Sequence, residues 1–172
     1  LYFLTLGLRL LRARRTTVQG RTCTETDLTP FFSALPFSLT GAQHRAVEDI
    51  LRDMSDTRPM NRLVQGDVGS GKTMVAAAAV YCAARNHLQA ALMAPTEILA
   101  EQHYHTLAPM LEGLGVRCAL LTASTRAAVR RSILEQLSSG EINFAIGTHA
   151  LLTSDVSYQR LGLVITDEQH RF

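Results

Sequence analysis

One stretch of the chain has the residue types and spacing that bind a nucleoside triphosphate: Gly66-Asp67-Val68-Gly69-Ser70-Gly71-Lys72-Thr73. It fits the pattern G-x-x-x-x-G-K-[ST] at every fixed position. Glycines let the backbone curl so that its N–H groups point at phosphates, and the helix that follows adds the positive end of its dipole. The pattern predicts that Lys72 binds the β- and γ-phosphates and that the Thr73 hydroxyl is a ligand of Mg²⁺.

Two adjacent carboxylates, Asp167 and Glu168, follow the apolar stretch 163–165. Hydrolysis of a triphosphate needs a carboxylate on the Mg²⁺ shell and a group that orients the attacking water. We expect Asp167 on the metal side and Glu168 next to the water. Paired acids at a strand end are common, so this prediction depends on the phosphate-binding loop. The chain between Thr73 and Asp167 has room for about three β-α-β units.

The elements that must position these residues follow from the apolar pattern. Short apolar stretches predict strands, and longer amphipathic or apolar stretches predict helices. Repeated β-α units predict an α/β fold with a parallel sheet covered by helices on both faces, whose ligands bind at the carboxyl ends of the strands. We expect strands at 62–64, 90–94, 116–121, 142–146 and 161–165, and helices after Thr40 and over 74–84, 97–114 and 125–137.

Two further turns are expected at the same edge of the sheet. They are Ala94-Pro95-Thr96-Glu97 and Ile146-Gly147-Thr148-His149. Hydroxyls, backbone N–H groups and helix N-termini in such turns can bind a phosphate. Helix capping explains the same residues equally well.

Composition sets limits on the class of protein. The chain has 172 residues, of which 47% are hydrophobic and 19% charged, and its net charge is +2. This balance is typical of a globular domain, and the small net charge means that any nucleic acid must bind through local contacts. Three widely spaced cysteines suit a reducing cytosol, with Cys82 and Cys118 expected in the core. We expect a cytoplasmic location, and both ends of the chain look cut.

The motifs together resemble the RecG-type ATP-dependent DNA helicases of superfamily 2. Gly66–Thr73 is similar to their motif I, the segment 93–103 to motif Ia, and 167–172 to motif II. Leu121-Thr122-Ala123-Ser124 is close to a Leu-Thr-Gly-Ser segment of that family, and 146–151 to its next DNA-contacting motif. The segment 35–43 is similar to their adenine-binding segment.

The resemblance implies a partial RecA-like P-loop lobe over residues 31–172, preceded by a helical linker segment over 1–30. It implies ATP and Mg²⁺ as cofactors, and branched or double-stranded DNA as the partner. It implies a wedge domain and a second motor lobe elsewhere in the parent protein, so that this polypeptide alone is expected to hydrolyse ATP feebly or not at all. The implied activity is remodelling of stalled forks and Holliday junctions in recombination and repair.

The resemblance also assigns roles to single residues. Phe37 would stack on adenine and Gln43 would hydrogen-bond to it, and His170 would relay between the γ-phosphate and the DNA side. Catalytic roles fall on Lys72, Asp167, Glu168 and His170, and metal binding on Thr73 and Asp167. Nucleotide contacts fall on Phe37, Gln43, Gly66, Asp67, Val68, Gly69, Ser70, Gly71, Lys72 and Thr73. DNA contacts fall on Pro95, Thr96, Glu97, Gly147, Thr148 and His149.

Three alternatives stay open. A transcription-repair coupling translocase is the nearest rival within the resemblance. A P-loop NTPase that does not act on nucleic acid would leave the segments 94–103 and 146–151 without a role. A binding fragment without catalysis would share the ancestry and differ in activity.

Overall fold

The computed structural model describes residues 20–67 and 69–167. Within these ranges no helix is both long and apolar enough to cross a membrane. The helices are α1 (Thr29–Ala34), α2 (Gly41–Met54), α3 (Lys72–Arg85), α4 (Glu97–Gly113) and α5 (Ala127–Ser139), with a short 3₁₀ helix at His149–Leu152. The strands are β1 (Gln89–Met93), β2 (Cys118–Leu121), β3 (Phe144–Gly147) and β4 (Leu161–Thr166).

The four strands form one parallel sheet in the order β2-β3-β1-β4. Alternate side chains enter two separate cores because successive residues of a strand face opposite sides. Phe144 and Ile146 lie in the larger core, with α2, α3 and α4, whereas Ala145 lies in the smaller one, with α5 and the 3₁₀ helix. The predicted parallel sheet with helices on both faces is therefore confirmed.

Helix α3 is apolar on nearly every side. Val75 and the whole run 77–83 are buried, as the sequence predicts for a helix packed from several directions. The helix contacts β1 and β4, and three residues join its end to the beginning of β1. It therefore runs antiparallel to β1, so its first residue, Lys72, lies toward the carboxyl edge of the sheet.

Two helix boundaries have the chemistry that their residue types favour. Thr40 caps α2 in a capping box, in which its hydroxyl accepts from the Gln43 N–H while the Gln43 side chain accepts from the Thr40 N–H. Gly140 ends α5 with a φ of 81°, a left-handed conformation that glycine adopts without strain. The N-cap of α5 is Arg126, whose side chain makes no cap hydrogen bond, and the preceding Thr125 hydroxyl accepts from the Thr122 N–H.

The strand predicted at 62–64 is wrong. These residues have no regular structure, and Leu63 is 75% exposed. A strand needs a neighbour for its backbone groups, and within the described residues β4 pairs only with β1 and not with this segment. Arg62 instead ties the segment to α2 through Asp53, at 2.6 Å, and Asp49, at 3.5 Å.

The segment 20–28 lies against the lobe through a few anchors. Cys23 and Leu28 are buried in the larger core. The Asn86 side chain, just after α3, accepts from the N–H groups of Thr24 and Glu25 and donates to the Glu25 carbonyl. Residues 1–19, where a helix is predicted, lie outside the described residues, so the domain boundary at residue 30 stays a prediction.

The three cysteines are free thiols. Cys82 is fully buried, as predicted, and its hydrogen bond with Cys23 together with burial raises its pKa. Cys118 is only partly buried, and burial raises its pKa to about 12. Both thiols stay protonated near neutral pH, which makes them poor nucleophiles.

Candidate active site at the carboxyl edge of the sheet

The phosphate-binding loop curls as its glycines predict. Gly69 and Gly71 have φ angles of 80° and 78°, and Gly71 is the N-cap of α3. The Ser70 N–H donates to the Asp67 carbonyl at 3.1 Å, which closes the turn. The first N–H groups of α3 have no partners within the helix and are donors for an anion. Val68 lies outside the described residues.

Lys72 closes the loop from inside. Its Nζ donates to the carbonyls of Gly66 and Asp67, each at 2.7 Å, and lies 3.5 Å from the Ser70 hydroxyl. It is also the single lysine of the sequence, and the remaining residues counted as Lys or Arg are all arginine. An anion bound in the loop would accept hydrogen bonds from the Lys72 ammonium in place of these two carbonyls.

The loop is built for residues without side chains. A Cβ on Gly66 would lie 2.7 Å from the Ser70 Oγ, and one on Gly71 would collide with the Gln43 amide nitrogen. At Gly66 and Gly71 the loop is therefore packed too tightly for a side chain. The hydroxyl of Thr73 and the carboxylate of Asp167 are hard oxygen donors of the kind Mg²⁺ prefers. These residues fit a magnesium-bound triphosphate.

Gln43 links α2 to the loop. Its Nε2 donates to the Ser70 carbonyl at 2.8 Å, and its Oε1 accepts from the Thr40 N–H at 2.7 Å. Both ends of the amide are thus engaged within the protein. The predicted hydrogen bonds from Gln43 to adenine stay a prediction, and they would have to share or replace these partners.

Phe37 lines an open hollow beside α2. The hollow has a volume of about 330 Å³, and Phe37 is 50% exposed in it. The His44 ring forms another wall and packs against Phe32, with ring centroids 5.3 Å apart. An exposed aromatic face in a hollow of this size suits the stacking of a flat base.

We predict that Phe37→Ala weakens ATP binding and leaves inorganic triphosphate binding unchanged, because only the base would touch this ring. Loss of one aromatic stack costs about 1 kcal/mol, or roughly fivefold in Kd. Calorimetric titration with both ligands measures the difference. Val129→Ala, at an exposed residue of α5, is the matched control. An equal loss for both ligands would contradict the role of Phe37 in binding the base.

Asp167 directly follows β4, at the carboxyl edge. Its N–H donates to the Met93 carbonyl at the end of β1, at 2.9 Å. Its Oδ2 lies 2.8 Å from the Nε2 of His103 on α4, and its side chain is 36% exposed. The carboxylate is therefore fixed on one side and open on the other. Glu168 and His170 lie outside the described residues, and their roles stay predictions.

The two remaining turns lie side by side. Met93 pairs with Gly147 across β1 and β3, and the Ala94 N–H donates to the Gly147 carbonyl at 2.8 Å. Thr96 caps α4 by accepting from the Leu99 N–H at 3.3 Å. The segments 95–97 and 147–149 thus lie next to each other at the edge where Asp167 lies.

Not all of the predicted DNA contacts are equally accessible in this arrangement. Gly147 is buried, and a Cβ there would collide with the Leu121 carbonyl, so its glycine is needed for packing. Thr148 is only 9% exposed. The Glu97 carboxylate accepts from the Ser124 N–H at 3.2 Å and from its hydroxyl at 2.7 Å. Glu97 therefore orders the 122–125 turn, and its charge would repel a phosphate.

Sequence reasoning missed His103 and the bond between Glu97 and Ser124. His105 is exposed on α4, whereas His103 on the same helix reaches Asp167. The sequence signal was present only in the motif Ia resemblance, which contains His103 without giving it a partner. Among the described residues, no group of three or more His, Cys, Asp or Glu side chains could hold a metal ion.

The chain matches a known protein family and several known proteins. Residues 40–172 match the DEAD/DEAH box helicase family. The chain is 55% identical over 145 residues to the ATP-dependent DNA helicase RecG of Synechocystis, covering 84% of this chain and 17% of the relative. It is 50% identical over 163 residues to that of Bacillus subtilis, covering 94% and 24%. The chain thus spans about a quarter or less of the length of these relatives.

A solved structure resembles the whole fold. It is described as RecG bound to a three-way DNA junction, and it matches with a TM-score of 0.88 and 43% identity. The match covers 99% of this chain and 24% of that chain.

Proposed function

Because the chain belongs to the DEAD/DEAH box helicase family, we propose that it is the ATP-binding motor lobe of a DNA helicase that remodels branched DNA. The observation that carries the proposal is the shared edge of the sheet. Asp167 and the two turns at 95–97 and 147–149 lie at the carboxyl ends of the parallel strands, and the direction of α3 puts the loop that leads into Lys72 toward the same edge. One edge would then bind both the nucleotide and the DNA.

The roles of the chain's own residues follow from this geometry. Lys72 would leave the Gly66 and Asp67 carbonyls to bind the β- and γ-phosphates. Thr73 and Asp167 would hold Mg²⁺, whose charge supports the transfer of the phosphoryl group. Glu168 would orient the attacking water, and His170 would connect the γ-phosphate with the DNA side. A second lobe would close over the ATP and supply an arginine.

A chimera tests the DNA part of the proposal. The chain replaces the matching segment of the Bacillus subtilis relative, to which it is 50% identical. We expect ATP hydrolysis that a three-way DNA junction stimulates more than a linear duplex of equal length does. Hydrolysis that neither DNA stimulates, in a chimera that folds and binds ATP, would favour a nucleotidase that does not act on nucleic acid.

Within this chimera we predict that Thr148→Ala lowers junction-stimulated ATPase and leaves the Kd for ATP unchanged. Loss of one hydrogen bond to a phosphate costs about 1 kcal/mol, or roughly fivefold. Thr148→Ser retains the hydroxyl and is the matched control. Since Thr148 is 9% exposed, thermal unfolding of both variants is measured as well. Unchanged stimulation in the alanine variant would remove Thr148 from the DNA interface.

A further inference from the structure

We propose that His103 is a positioning residue, which holds the Asp167 carboxylate in the orientation that binds magnesium with the nucleotide. This inference rests on the proposed function. It begins from a contact between residues 64 apart in the sequence, His103 on α4 and Asp167 after β4, whose side-chain atoms Nε2 and Oδ2 are 2.8 Å apart.

The chemistry of the pair sets the direction of the hydrogen bond. An ionised carboxylate only accepts, so the imidazole must donate from Nε2. This requires the proton on Nε2, whether the ring is neutral or charged. The bond uses Oδ2, and within the described residues Oδ1 has no bonded partner. One oxygen is thereby fixed by the protein and the other is left for a cation.

The surroundings restrict the carboxylate further. Its backbone N–H is held by the Met93 carbonyl at 2.9 Å, so the residue is fixed at the end of β1 as well as by α4. The His103 side chain is 17% exposed, whereas that of Asp167 is 36% exposed. The histidine thus lies behind the carboxylate, and the open side of the carboxylate is the side available to a ligand.

This arrangement is that of an outer-shell partner. Hydrogen bonds to the groups that ligate a metal orient them, and their loss typically weakens metal binding by about 10–100-fold. A carboxylate that is free to rotate loses entropy when it binds the cation. If the His103–Asp167 contact only joined α4 to the end of β4, loss of His103 would lower the stability of the fold and would not change how magnesium affects nucleotide binding.

The test compares the magnesium dependence of nucleotide affinity in four forms of the chain. These are the wild type, His103→Ala, His103→Gln and His105→Ala, each titrated with a fluorescent ADP analogue in EDTA and at increasing Mg²⁺. The Gln amide nitrogen can replace Nε2 as a donor. His105 is on the same helix and is exposed, which makes His105→Ala the matched control.

Magnesium is expected to raise the affinity for the ADP analogue. We expect the Mg²⁺ concentration that gives half of this increase to rise about tenfold or more in His103→Ala. The affinity in EDTA should stay unchanged, and His103→Gln and His105→Ala should behave as the wild type. Wild-type magnesium dependence in a folded His103→Ala chain would overturn the inference. A wild type that binds the nucleotide without any magnesium effect would overturn it too. A wild type that binds no nucleotide would overturn the proposed function itself.

A second measurement needs neither nucleotide nor a stable variant. The ¹⁵N chemical shifts of the His103 ring in the wild-type chain report which nitrogen carries the proton. A proton on Nε2 is expected. A neutral ring with its proton on Nδ1 would overturn the inference even if His103→Ala failed to fold.

Discussion

Lys72→Ala should lower the affinity of the chain for Mg-ATP by more than a hundredfold. The ammonium would make at least two charge-assisted hydrogen bonds to the triphosphate, and each is worth about 1.5–3 kcal/mol. A loss of about 3 kcal/mol corresponds to roughly 150-fold in Kd. Calorimetry or equilibrium dialysis with ATP and Mg²⁺ measures it.

The presence of a single lysine allows a second test of the site by chemical labelling. Lys72 is the only lysine, so an acyl-phosphate derivative of ATP, which acylates lysines beside the bound phosphates, has one side-chain amine to modify. We expect acylation of Lys72 in the wild type and protection by excess ATP. Arg131→Ala, an exposed cation on α5, is the control for the change of net charge. A Kd for Lys72→Ala within threefold of the wild type would contradict the nucleotide site.

The variant should fold, since among the described residues Lys72 hydrogen-bonds only to exposed loop atoms. Exposed polar contacts of this kind contribute little to stability. Thermal unfolding of Lys72→Ala within a few degrees of the wild type would therefore accompany the loss of binding. A variant that unfolds would point to a structural role for the ammonium within its loop.

The site was predictable wherever local chemistry decides the structure. The loop needs glycines at φ angles of 80° and 78°, and its sequence has Gly69 and Gly71 there. The capping box at Thr40 and the left-handed end of α5 at Gly140 also depend on neighbouring residues only. In each case one or two side chains settle the backbone, and their spacing is visible in the sequence.

The strand predicted at 62–64 shows where this reasoning ends. Apolar residues before a glycine loop indicate a strand, but pairing depends on a partner strand elsewhere in the fold. In the described residues the segment is held by Arg62 on the acids of α2. No local sequence pattern predicts this contact. The same holds for Glu97, whose bond to Ser124 joins two turns 27 residues apart.

The partners of His103 and Gln89 could not be predicted from the sequence for a related reason. A polar residue in a helix or strand has many possible partners, and the sequence does not say which distant group it meets. His103 reaches Asp167, and Gln89 reaches backbone atoms of three other segments. Such long-range polar contacts arise only once the sheet has brought the segments together.

Gln89→Ala should be the most destabilising of the substitutions considered. Gln89 is 3% exposed at the start of β1. Its Nε2 donates to the carbonyls of Leu137 and Ile142, at 2.9 and 2.8 Å, and its Oε1 accepts from the Arg160 N–H at 2.9 Å. One amide thus joins the end of α5 to the segments before β3 and β4.

The expected loss follows from the groups left behind. Leu137 keeps other donors, from Gly140 and Gln159, so the variant leaves chiefly the Ile142 carbonyl and the Arg160 N–H without partners. An unsatisfied buried group costs about 1–3 kcal/mol, and the Arg160 N–H is only partly buried, so we expect a loss of about 2–3 kcal/mol in the free energy of unfolding. Urea denaturation measures it. Gln136→Ala, which removes only an exposed bond to Ser132, should cost about 0.5 kcal/mol or less.

Gln89→Glu separates the hydrogen bonds from simple packing, because the side chain keeps its size but has one donor when protonated and none when ionised. A carboxylate facing two carbonyls in a buried site is favoured only when protonated, so its pKa in the folded chain must lie above the unfolded value of about 4.3. The folded state then binds more protons, and stability relative to the wild type must fall as the pH rises from about 4 toward that raised pKa. Urea denaturation of both chains between pH 5 and pH 8 measures this difference. A difference that does not change with pH would mean that the Gln89 amide fills space and does not supply the hydrogen bonds that hold the three segments together.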